Sequence, residues 1–168
     1  MTQILPWLFL GSIDEAEDQK WLQEHGITHV LNTSKDIFLL SSASIDNDSN
    51  DEYIDIGDRK YFHAPFCDLD HNDNFDRYIQ SAIEFICACR DEQGKILVHC
   101  YAGVNRSTTT VLFYLALHED YKLIDAYAFV KAKRDCINPM LLRVIQSRFA
   151  LTKQPSYYSS ILDSPCKI

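Results

Sequence analysis

The chain has 168 residues, 46% hydrophobic and 12% aromatic, enough for one domain with its own core and too few for two. A net charge of −8 disfavours nonspecific binding to nucleic acid or to an anionic membrane surface, because the long-range field repels polyanions. No stretch approaches the roughly 18 apolar residues of a membrane span, and MTQILPWLFLGS lacks the basic region and apolar core of a signal peptide, so an intracellular, cytoplasmic or nuclear, soluble protein is expected.

From the amino end, Ser12-Ile13-Asp14-Glu15 reads as a capping box that opens a helix running to about Glu24, with Gly26 placed to stop it. Ile27 to Leu31 reads as a strand. The segment from Lys35 to Arg59, with six acidic residues between Asp46 and Asp58, lacks sustained periodicity and predicts a solvated loop. Lys60 to Phe66 is the next strand. Phe75, Tyr78, Ile79, Ala82, Ile83, Ile86 and Cys89 recur at steps of three and four, which places them on one face of a helix ending near Arg90.

Gly94 turns the chain into Ile96 to Val98, a strand apolar on both faces and therefore central in a sheet. Thr109 to Leu117 is apolar almost all round, as in a buried helix. Two amphipathic helices follow, one marked by Leu123, Ala126, Tyr127 and Val130, the other by Leu141, Leu142, Ile145 and Phe149, with a break at Asn138-Pro139. Strands alternating with helices around an apolar central strand give an α/β sandwich.

The six cysteines, Cys67, Cys87, Cys89, Cys100, Cys136 and Cys166, are expected to be thiols, because nothing suggests secretion and their spacing does not make a zinc site. Asp68, Asp70 and Asn72 imitate the start of a calcium loop. Asp73 stands where that loop needs glycine and Ile79 where it needs glutamate, so no metal is expected there. The histidines His25, His29, His63, His71 and His118 show no ligand spacing and read as structural or surface residues.

The chemistry concentrates in HCYAGVNRS, His99 to Ser107, at the carboxyl end of the central strand, where open α/β sheets bind ligands. A cysteine at the strand end, followed by a turn through Gly103, faces successive backbone N–H groups, those of Tyr101, Ala102, Gly103, Val104 and Asn105, in an anion-binding nest. Those donors and the positive end of the following helix suit a phosphate-sized anion and favour the Cys100 thiolate over the thiol. Arg106 can grip two phosphoryl oxygens with its planar fork, a geometry lysine lacks. Nucleophile, cradle and clamp together are what covalent phosphoryl transfer requires. Ser107 can also serve as a cap for the next helix, and His99 as a satisfied core histidine.

The pattern His99-Cys100-x5-Arg106-Ser107 resembles the signature loop of the cysteine-based protein tyrosine phosphatases. Ile4 to Ser12, Gly26 to Asn32, Ala82 to Ile86, Lys95 to Cys100 and the Asn138-Pro139 region resemble the catalytic domain of the dual-specificity branch, over roughly residues 3 to 150. This resemblance implies a central mixed, mostly parallel sheet flanked by helices. It implies a catalytic domain over residues 1–153 with a short tail at 154–168, no cofactor and no metal, and a phosphoprotein as substrate, with no nucleic-acid or membrane partner. Nothing in the sequence fixes an oligomeric state.

The resemblance also implies a general acid on the loop before the Phe75 helix, since an alkoxide or phenolate leaves poorly without a proton. Asp68 ranks first by position after the strand; Asp70 fits when counted back from the helix. The same carboxylate would activate water against a cysteinyl-phosphate, Ser107 would stabilise the departing thiolate, and His99 would hold the loop and tune Cys100 from behind. Two departures from the family pattern are Asn105, where serine is usual, and a longer segment at 35–59.

Dephosphorylation of phosphotyrosine and phosphoserine or phosphothreonine in proteins is the leading expectation. The same chemistry on an RNA 5′-triphosphate or a phosphoinositide ranks second: Asn105-Arg106 resembles the RNA-type loops, but Tyr101, Ala102 and Val104 bring no lysine. A noncatalytic phosphoprotein-binding module ranks third, because Cys100 and Arg106 are both present.

Overall fold

The structure, a computed structural model, describes residues 1–35, 54–66 and 75–140. In chain order the elements are β1 (Thr2–Gln3), β2 (Leu8–Gly11), α1 (Ile13–Glu17), α2 (Gln19–Glu24), β3 (His29–Ser34), β4 (Ile54–Ile56), β5 (Arg59–Phe66), α3 (Phe75–Asp91), β6 (Ile96–His99), α4 (Arg106–His118) and α5 (Leu123–Lys133). The strands form one sheet in the order β1-β2-β6-β3-β5-β4. Its four inner strands run parallel, and β1 and β4 pair antiparallel at the edges. The expected mixed, mostly parallel sheet is thus present, with β6 held between β2 and β3.

The two-residue period of a strand divides the core into two layers. Leu8, Leu10, Leu31, Ile96 and Val98 enter a large cluster with Ile79, Ile83 and Ile86 of α3, Leu112 and Leu115 of α4, and Ala126 and Val130 of α5. Phe9, Val30 and Leu97 point the other way, onto Ala16 of α1 and Leu22 of α2. This is why β6 reads as apolar on both faces. Residues 106 to 115 of α4 are all buried, polar ones included, so the helix that carries Arg106 and Ser107 runs through the middle of the larger layer.

Several expectations change. The first helix is two: Asp18 ends α1 and its carboxylate accepts from Trp21 N at 2.9 Å, capping α2, so the chain turns where one helix was expected. The Ser12 capping box is present, and Gly26, at φ +65°, follows α2 with its N–H on Gln23 O. Helix α4 begins at Arg106, three residues before the apolar run, because Asn105 O already accepts from Thr109 N at 2.8 Å. The carboxyl end of the segment expected as a loop is a hairpin: Ile54–Ile56 pairs with Arg59–Tyr61 across a turn that contains Gly57 at φ +64°. Residues 36–53, the helix expected over Leu141 to Phe149 and the tail 154–168 lie outside the described residues. Among the described residues no helix is long and apolar enough to cross a membrane.

Candidate active site

Three parallel strands end side by side, and their carboxyl ends carry the site. His99 closes β6, pairing with Gly11 of β2 on one side and Asn32 of β3 on the other. Thr33 Oγ1 donates to His99 O at 2.9 Å, a bond that ties β3 to the strand end immediately before Cys100. The β3 register then shifts between Asn32 and Ser34, with Asn32 Oδ1 accepting from Ser34 N at 2.9 Å. At that shift Ser34 Oγ accepts from Arg106 Nη1 at 3.1 Å.

Cys100 is 2% exposed, so its sulfur is set by protein groups and hardly by water. Burial pushes the thiol pKa up. The Ser107 hydroxyl at 3.2 Å, the N–H groups of Ser107 and Gly103, and the Arg106 charge together outweigh burial, and the net displacement is downward. Ser107 therefore does not cap α4, as one reading of the sequence allowed. Asn105 holds the cap position, and Ser107, in the first turn, gives its hydroxyl to sulfur.

Gly103 has φ +67°, and a Cβ there would stand 2.5 Å from Gly11 O and 2.6 Å from Arg134 Nη2. Only glycine fits both the torsion and the space. Around it, Tyr101, Ala102, Val104 and Asn105 complete the loop between β6 and α4, Tyr101 exposed and Asn105 buried.

His99 is fully buried, with Nδ1 at 3.4 Å from Cys100 O. Burial pushes it down to about 4, the Cys100 carbonyl opposing and His63 adding to the effect. His99 is therefore neutral at pH 7, and the positive charge acting on the sulfur is that of Arg106. His63 stands nearby with Nε2 2.7 Å from Ser34 O. The remaining described histidines have structural settings: His25 stacks on Trp21, His118 on Tyr114, and His29 lies 3.4 Å from Glu92 Oε2.

The structure thus brings His99, Cys100, Gly103, Arg106 and Ser107 together. Asp68 and Asp70, with Cys67 and His71, lie outside the described residues. The sequence reading missed Thr33 and Ser34, which lie some 66 to 72 positions from their partners and belong to no motif. It also missed Arg134, whose Nε donates to Gly103 O at 3.1 Å and whose Nη2 lies 3.4 Å from Ala102 O. Cys89, Cys100 and Cys136 are thiols.

A thiol of lowered pKa, faced by the N–H groups of Gly103 and Ser107 and by the Arg106 charge, is an arrangement suited to phosphoryl groups. The family model described as "Dual specificity phosphatase, catalytic domain" matches residues 8–146. The chain belongs to this family. Among dual specificity phosphatases, human dual specificity protein phosphatase 4 is 36% identical over 137 residues, covering 82% of this chain and 31% of that protein. The chain thus spans about a third of the length of that relative. Mouse dual specificity protein phosphatase 22 is 33% identical over 141 residues, covering 84% of this chain and 68% of that protein. Two solved structures share the dual specificity phosphatase fold seen here. DUSP15 superposes with a TM-score of 0.69 at 29% identity, over 83% of this chain and 79% of that one. The human tyrosine phosphatase-like serine/threonine/tyrosine-interacting protein superposes with a TM-score of 0.70 at 29% identity, over 90% and 96%.

Proposed function

We propose that this chain removes phosphate from phosphotyrosine and from phosphoserine or phosphothreonine in proteins, through a cysteinyl-phosphate intermediate, with residues 1–153 as the catalytic unit. The observation that carries the reading is the environment of Cys100: a thiol of lowered pKa at a strand end, hydrogen-bonded to Ser107 and faced by Arg106. Thiolate attacks phosphorus as the phosphorus–oxygen bond of the substrate breaks, and Asp68, with Asp70 as the second candidate, gives its proton to the leaving oxygen. Backbone N–H groups of residues 101 to 105 and the Arg106 fork hold the three phosphoryl oxygens as charge builds on them.

In the second step the carboxylate takes a proton from water, water attacks phosphorus, and the sulfur–phosphorus bond breaks. The departing thiolate is met by the Ser107 hydroxyl. Neutral His99 holds the strand end and supplies no charge. The chemistry needs no metal and no cofactor, since the protein's own donors and Arg106 neutralise the phosphoryl group.

The test is hydrolysis of a phosphotyrosine peptide and a doubly phosphorylated threonine-tyrosine peptide, in chelator and reductant, by wild type and Cys100→Ser. Phosphate release from both residues by wild type alone is expected, with the variant still binding the peptides. Turnover by Cys100→Ser would remove the nucleophile assignment. Binding without turnover by wild type would favour a phosphoprotein-binding module, and activity confined to RNA 5′-triphosphates or phosphoinositides would favour the second substrate class.

A further inference from the structure

Four consecutive carbonyls of the loop, those of residues 101 to 104, each accept a hydrogen bond from outside it. Ile13 N donates to Tyr101 O at 3.0 Å, and Asn138 N to Val104 O at 2.9 Å. Between them, Arg134 reaches Ala102 O through Nη2 and Gly103 O through Nε, and Thr108 Oγ1 also approaches Gly103 O, at 3.4 Å. A trans peptide points its carbonyl and the next residue's N–H in opposite directions. Four carbonyls held outward therefore turn the N–H groups of residues 102 to 105 inward, toward the nest.

One of these peptides links Arg134 to the sulfur. The Ala102–Gly103 unit has its carbonyl on Arg134 Nη2 and its N–H on Cys100 Sγ. A cation on the oxygen of a peptide polarises the group and makes its N–H a stronger donor. The guanidinium is itself fixed, with 13% of its side chain exposed, Nη1 on Thr2 Oγ1 at 3.2 Å and Nη2 near Glu15 Oε2 at 3.4 Å. Its backbone N–H ends α5 on Val130 O, and Lys131 Nζ closes the following turn on the carbonyls of Asp135 and Ile137. The clamp thus joins α1, the loop and the end of α5.

We infer that Arg134 is a positioning residue for phosphoryl transfer, holding the Ala102 and Gly103 carbonyls outward so that the loop amides face the thiolate and the phosphoryl oxygens. The inference deepens the phosphatase reading and rests on it for the reaction, while its effect on Cys100 is measurable without turnover. Lysine keeps the charge but gathers its three donors on one nitrogen, which cannot reach two carbonyls, Thr2 and Glu15 together.

The experiment compares wild type, Arg134→Lys and Arg134→Gln by three readouts. These are the pH dependence of Cys100 alkylation by iodoacetamide, with Cys100→Ser as the blank, the affinity for orthovanadate, and the melting temperature. Both variants are expected to raise the apparent thiolate pKa by about one unit and to weaken vanadate binding on the order of 10-fold. A fall in melting temperature with the alkylation profile and vanadate affinity of wild type would reduce Arg134 to a structural tie and overturn the inference. Full recovery of both in Arg134→Lys would also overturn it, since charge alone would then suffice. Should Arg134→Gln not fold, Arg134→Lys decides the matter. Wild type that hydrolyses neither phosphopeptide and ignores vanadate sinks the phosphatase reading, and the alkylation profiles then decide the role of Arg134 on their own.

Discussion

Ser107 Oγ donates to Cys100 Sγ at 3.2 Å, a bond that joins the first turn of α4 to the end of β6 across seven positions of chain. It is one of the contacts that carry the thiol below its ordinary range against the opposing effect of burial. Because the thiolate is the reactive form, alkylation rises as pH climbs through the Cys100 pKa, and removing a donor to the thiolate moves that rise upward. Ser107→Ala is expected to shift the alkylation midpoint up by about one unit. It is also expected to produce a burst of product before a slowed steady state, because loss of the hydroxyl falls hardest on the step that expels the thiolate. Rapid-quench kinetics on an activated aryl phosphate checks the burst.

The general acid is tested by leaving group. A poor leaving group needs the proton and an activated one does not, so Asp68→Ala is expected to slow a phosphotyrosine peptide by on the order of 100-fold or more while barely affecting an activated aryl phosphate. The same split in Asp70→Ala, with Asp68→Ala indifferent to leaving group, would transfer the role to Asp70.

Gly103 combines a left-handed torsion with a close approach to the Gly11 backbone. Gly103→Ala puts a methyl group against a carbonyl that cannot swing away, and the expected cost is about 3 kcal/mol. For a chain of this size that corresponds to a melting temperature lower by about 10 °C. Calorimetry on the variant reads it directly, and an unchanged melting temperature would mean that the loop adapts freely.

His99 makes the fold acid-sensitive. In the folded chain burial holds its pKa down to about 4, whereas the unfolded chain takes up a proton near the ordinary 6.5. Its contribution to stability is full above pH 6.5 and is lost as pH falls from there toward 4. Between pH 7.5 and 5 the loss attributable to His99 is on the order of 2 kcal/mol. The pKa values of His29, His63 and His118 are also lowered, chiefly by burial, and add in the same direction. Urea unfolding at both pH values is expected to show a smaller drop for His99→Asn than for wild type; equal drops would remove His99 from the account.

The loop from His99 to Ser107 was legible in the sequence because the cysteine, the turn glycine, the arginine and the serine lie within nine consecutive residues, where spacing maps directly onto geometry. Strand β6 was legible for a similar reason, since its alternate residues enter two different apolar layers. The break at Asp18 was hidden by a helical apolar pattern that continues across it, although an aspartate three residues before Trp21 was the available signal. The Ile54–Ile56 strand was obscured by the acidic composition around it, yet Ile-Asp-Ile before Gly57-Asp58 carries the alternation and the turn of a hairpin. Ser34 and Arg134 left no local signal, because each acts on the loop from a distant part of the chain and acquires its role only when the sheet assembles.

The outward-facing carbonyls of residues 101 to 104 have a consequence for transplantation. Their donors come from Ile13, Arg134 and Asn138, positions spread over more than a hundred residues of chain. A peptide of the nine residues His99 to Ser107, or the same nine grafted onto a foreign strand and helix, would contain the cysteine, the turn glycine, the arginine and the serine and lack the forces that bend the backbone around an anion. The unit that can be moved without losing its shape is therefore the entire α/β domain.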